Sequence, residues 1–149
     1  MADTRIQREV ESWVVREALR VAYRQAFAKG AAPLAWGGTF EFDAVSHDRT
    51  IVACVSTSVA RTAGNKLAVG KIRKIKADAL YLLSVADVKR RVLVFTDESM
   101  LRHFENERKA GRFPPETDIE LRLVELPSSL AARLAEARAA ASAEVTPRE

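Results

Sequence analysis

The run Ile51-Val52-Ala53-Cys54-Val55, set between Thr50 and Ser56-Thr57-Ser58, constrains the fold of this chain more than any other segment. As a strand it puts Val52, Cys54 and Ser56 on one face and Ile51, Ala53 and Val55 on the other. Both faces are almost wholly apolar, which requires a central position in a sheet covered on both sides. Arg91-Val92-Leu93-Val94-Phe95-Thr96 makes the same demand. Helical spacing lies between these two runs, so the expected class is α/β, a mixed sheet flanked by helices.

The remaining elements follow from periodicity. Ile6, Val10, Trp13, Val14, Ala18, Val21 and Ala22 predict a first helix over 5–28, stopped at Lys29-Gly30. Leu34-Ala35-Trp36 is a short strand or a loop, broken by Gly37-Gly38. Thr39 to Ser46 reads as a strand, with Phe40, Phe42 and Ala44 on one face and Glu41, Asp43 and Val45 on the other. His47-Asp48-Arg49 turns it into the central strand. Ile72, Ile75, Ala79, Leu82 and Leu83 mark a helix ending near Val85, with Lys71, Lys74, Asp78 and Tyr81 on another face. Asp97 or Thr96 caps a helix to about Ala110, Asp118 to Leu126 alternates as a strand, and an Ala-rich helix opens at Pro127-Ser128. Its stripe of Leu130, Leu134 and Ala137 suits either the chain's own core or a second subunit. Residues 1–144 are expected to form one domain and 145–149 a disordered tail.

Composition narrows the function classes. No apolar run approaches the ~20 residues of a membrane helix. Met1 to Arg5 lacks the apolar core of a signal peptide, and a single cysteine fits a reducing compartment, so a cytoplasmic location is expected. Cys54 with only His47 and His103 gives no structural zinc set. The net charge of +4 is uneven: residues 1–76 carry +6 and residues 77–149 carry −2. A basic half suits a polyanion such as DNA or RNA, or is simply a solvated surface. Lys66, Lys71, Arg73 and Lys74 are the candidate phosphate contacts. Trp13, Trp36 and Tyr23 read as core or half-buried side chains, because no aromatic residue is interleaved with the basic run.

The hairpin Phe40-Glu41-Phe42-Asp43-Ala44-Val45, followed by Thr50 to Ser58 and a helix, resembles the PD-(D/E)XK nuclease superfamily, the restriction-endonuclease-like fold. The resemblance covers 5–96 as an αβββαβ core, with 97–143 as a C-terminal αβα extension. It implies Mg²⁺-dependent phosphodiester hydrolysis, with a first carboxylate at Asp43 and a carboxylate and lysine two residues apart on the next strand. A hard cation wants such oxygen ligands, and a lysine on the same face positions or deprotonates the attacking water. Here those two positions hold Cys54, a soft ligand, and Ser56, a weak base. The expectation is therefore a nuclease-fold protein with an inactive site, needing no cofactor and kept for binding nucleic acid or a protein. The alternatives are an active enzyme rearranged around Asp43, and a structural or oligomerising α/β protein. For the rearranged enzyme, the resemblance implies replacement groups from elsewhere. Glu41 is the candidate second metal ligand, Glu9, Glu11 or Glu17 are candidates on the first helix, and Lys71, Lys74 or Asp78 on the helix after the hairpin. Each of these is otherwise an exposed charge or an i,i+4 pair.

Overall fold

The computed structural model describes residues 4–145. A first helical segment consists of α1 (Arg5–Trp13), a π turn (Val14–Ala18) and α2 (Leu19–Tyr23). Then come β1 (Phe27–Pro33), β2 (Thr39–Ser46), β3 (Ile51–Ser56), α3 (Val69–Ser84), β4 (Arg90–Phe95), α4 (Glu98–Lys109), β5 (Glu120–Leu123) and α5 (Ser128–Val145). The five strands form one mixed sheet in the order β1-β2-β3-β4-β5. β1, β2 and β3 form an antiparallel meander, while β4 and β5 join parallel through α3 and α4. The doubly apolar β3 is the central strand, with Val52, Ala53 and Cys54 at most 2 % exposed.

Each face of the sheet carries its own core. On one, Phe42, Val45, Val52, Cys54, Leu93 and Phe95 pack under Ile72, Ile75, Ala79 and Leu82 of α3 and Met100 and Phe104 of α4. On the other, Ala44, Ile51, Ala53, Val55, Val92 and Val94 pack under Ile6, Val10, Val14, Val15 and Leu19 of the first segment and Leu130 and Leu134 of α5. The α5 stripe is thus used within the molecule, where Arg133 also makes two 2.8 Å bonds to Glu9. The π turn explains the buried doublet Val14-Val15. One extra residue in the turn lets both neighbours face the sheet and resets the spacing to Leu19.

Three expectations need correction. The first helix ends at Tyr23, where Arg24 takes a left-handed conformation at φ 59°, and not near residue 28. Residues Phe27–Pro33 form a strand instead, bonded to β2; their Ala-rich sequence has little strand propensity, and the pairing decides the matter. Third, the faces of β2 change partway along. Between Ala28↔Val45 and Gly30↔Phe42 β2 advances three residues against two, a bulge that leaves Phe42 and Val45 in one core and Ala44 in the other. The tail expected over 145–149 lies outside the described residues, apart from Val145, which ends α5. Among the described residues no helix is long and apolar enough to cross a membrane.

Candidate functional site

Asp43 lies at this bulge, beside a fork in the sheet. β2 pairs with β3 only through Ala44↔Ala53 and Val45↔Val52. Beyond that point β3 continues through Cys54, Val55 and Ser56 with β4 alone beside it. The Val55 N–H, turned toward the absent β2 ladder, donates to Asp43 Oδ2 at 2.8 Å. A half-buried carboxylate thereby occupies the place of a strand–strand bond, and its orientation is fixed by the main chain of β3.

Charged groups from both helical layers reach this fork. α1 supplies Glu11, half-buried, from one side of the sheet. α3 supplies Lys74 and Asp78 from the other, one turn apart, with Lys74 Nζ 3.2 Å from Asp78 Oδ2. The four groups act on one another. Burial pushes the Glu11 carboxyl above its ordinary value, and the Asp43 and Asp78 carboxylates push it the same way, against Lys74 and Lys29. Burial likewise raises Asp78, which is only 15 % exposed, and the Lys74 ion pair does not cancel the effect. Lys74 loses some hydration, yet Asp78 and Asp43 hold its ammonium above the usual lysine range. The fork therefore holds one ion pair, Lys74 with Asp78, and two further carboxylates, Glu11 and Asp43, within electrostatic reach of it.

The other residues singled out in the sequence fall around this cluster in different roles. Cys54 is buried directly behind it; burial, Asp78 and Asp43 all drive its thiol upward, so it stays protonated and inert. Ser56 accepts a 3.3 Å bond from Ser58 N and shapes the chain leaving β3. Glu41 is exposed and paired with Lys29 at 3.4 Å. Glu9 is engaged by Arg133 and Glu17 by Arg20 at 3.1 Å, which leaves Glu11 as the first-segment carboxylate that meets Asp43. Lys66 and Arg73 are exposed; Lys71 lies on the rim of a cavity of about 750 Å³ with Arg61 and Arg138. Arg138, from α5, donates to the Thr57 carbonyl and so ties that rim to the end of β3. A second cavity of about 390 Å³ opens onto Glu11 and Asp43 themselves, with Arg8, Arg16 and Lys29 around it. The sequence had not singled out Arg8, Arg16, Arg61 and Arg138; no charge cluster in the chain marks them, and the fold gathers them at two openings. Trp36, expected to be core or half-buried, is 62 % exposed.

Glu11, Asp43 and Asp78 offer oxygen only, the donor type a hard divalent cation takes. Among the described residues no group of three or more His, Cys, Asp or Glu side chains stands close enough to hold a metal by itself. Mg²⁺ asks for less, taking one or two carboxylates and completing its shell with water and substrate phosphate. Comparison with protein-family models, with curated proteins and with solved structures finds no match.

Proposed function

We propose that this protein is a metal-dependent phosphodiester hydrolase of nucleic acid, built on a restriction-endonuclease-like scaffold with its centre rearranged around Asp43. One observation carries the reading: at the fork between β2 and β3, Val55 N fixes Asp43 at 2.8 Å, Glu11 of α1 lines the same opening as Asp43, and α3 brings the Lys74–Asp78 pair from the other face. The αβββαβ element order and the β1-β2-β3-β4-β5 sheet support the resemblance drawn from the hairpin. The positions emptied by Cys54 and Ser56 are answered from the helices, the second carboxylate by Glu11 or Asp78 and the lysine by Lys74.

The roles follow from the surroundings of each group. Asp43, fixed by Val55 N, and one carboxylate of Glu11 or Asp78 would hold Mg²⁺, which supplies charge neutralisation of the phosphate and a more acidic water. Glu11, raised by burial and by its neighbours, is suited to accept a proton from the attacking water. Lys74 is held charged, so it steadies the phosphate rather than serving as a base. Arg8, Arg16 and Lys29 draw a polyanion to the opening.

The test is cleavage of labelled DNA and RNA with Mg²⁺ or Mn²⁺. Metal-dependent cleavage is expected, abolished by Asp43→Ala and lowered at least about a hundredfold by Glu11→Gln, the usual weight of a general base. No cleavage under any of these conditions would overturn the hydrolase. It would leave the second reading, an inactive nuclease fold kept for binding, which Cys54 and Ser56 at the two signature positions favour.

A further inference from the structure

We propose that Trp36 and Tyr81 form a base-stacking platform beside this centre, making single-stranded nucleic acid its preferred ligand. The inference rests on the nucleic-acid reading above and adds which form of nucleic acid is bound. Four rings run from core to solvent. Phe42 is fully buried and meets Phe40 edge-on at 4.9 Å; Phe40 lies flat on Tyr81 at 4.1 Å and 8°; Tyr81 meets Trp36 edge-on at 6.5 Å. The ladder ends in an indole that is 62 % exposed.

The indole is mounted rigidly. The turn that carries it closes through Gly37 N to Leu34 O at 3.0 Å and Leu34 N to Gly38 O at 2.8 Å. Gly37 sits at φ +100°, which a residue with a side chain rarely adopts. Ala35 N bonds Ser84 O at 2.7 Å, and Leu34 bridges Val85, pinning the turn to the end of α3. A large aromatic face held in water on a fixed turn contributes little burial to the fold and is well formed to receive a flat ligand.

Its position names that ligand. Tyr81 stands three residues after Asp78, and with Lys74 and Lys71 it occupies one face of α3. Phe40 stands three residues before Asp43 on β2, about 10 Å along the strand. Cations, carboxylates and aromatic rings thus succeed one another along a single strip, the order that phosphate, scissile bond and base require. In a duplex the base faces are covered by neighbouring pairs; only an unstacked base can lie on an indole.

The experiment is fluorescence anisotropy in EDTA, with labelled oligothymidylate and a duplex of equal length, so that binding is read apart from cleavage. Trp36→Ala is expected to weaken single-strand binding about tenfold and Trp36→Phe by less, with duplex affinity and melting temperature unchanged. An equal loss on both ligands, no loss on either, or a Trp36-dependent self-association in sedimentation would overturn the platform while leaving the cleavage test of Asp43 standing. Wild-type protein that binds no nucleic acid at low salt would overturn the platform and the nucleic-acid reading together.

Discussion

Glu11 stands in surroundings that oppose its charge. Burial and the Asp43 and Asp78 carboxylates raise its pKa, so the stability it contributes is complete below the unfolded-state value and is lost as pH rises through the folded one. At neutral pH, Glu11→Gln should therefore raise the melting temperature, while the proposed metal-dependent cleavage falls. A lower melting temperature would mean that Glu11 is a structural partner. Tyr23 gives a second residue-scale prediction. Burial and then Glu120, to which its hydroxyl donates, push it up to about 12, while Arg90 and Arg122 lie over its ring at 4.7 and 4.9 Å. Its folded value exceeds the ordinary 10.0, so its stabilisation is present below pH 10 and lost as pH rises toward about 12. Denaturant melts across that window should fall less steeply for Tyr23→Phe than for the wild type; parallel curves would contradict the assignment. Among single residues, Asp43 was readable from the sequence because an acid inside an apolar strand needs a partner. Glu11 was not separable from Glu9 and Glu17, because which carboxylate faces the sheet edge depends on how the first segment docks, and the π turn shifts the phase of Glu17 as well.

At the scale of elements, signals carried by side-chain pattern were readable and signals carried by pairing were not. β3 and β4 follow from runs apolar on both faces, α3 from its stripe, and α4 from Asp97, whose carboxylate accepts from Met100 N at 3.2 Å. Asp97→Ala should cost about 1 kcal/mol in denaturant melts, and an unchanged midpoint would show the cap to be idle. β1 was hidden because Phe27 to Pro33 has no strand pattern of its own; its hydrogen bonds to β2 make it one. The bulge in β2 has no sequence mark either, yet it sends Phe42 and Ala44, two residues apart, to opposite cores and sets Asp43 at the fork. The approach of Lys74 and Asp78 to the fork was visible only as an i,i+4 pair, indistinguishable from any solvated helix pair until α3 was placed on the sheet.

Across the whole molecule, two helical layers close on a five-stranded sheet, and the charged centre is assembled from both through the gap where β2 leaves β3. The layers are held by fully buried groups such as Leu82 and Phe104, so Leu82→Ala should cost about 2–5 kcal/mol and, by loosening α3, weaken the placing of Lys74 and Asp78. Lys74 answers Asp78 directly, and the carboxylates of Glu11 and Asp43 are the charges that a bound divalent cation would further offset under the proposed reading. Calorimetric titration with Mn²⁺ tests this claim most directly. The account predicts one site in the wild type, abolished in Asp43→Ala and weakened in Glu11→Gln and Asp78→Asn; no binding at millimolar Mn²⁺, or binding indifferent to Asp43, would contradict it.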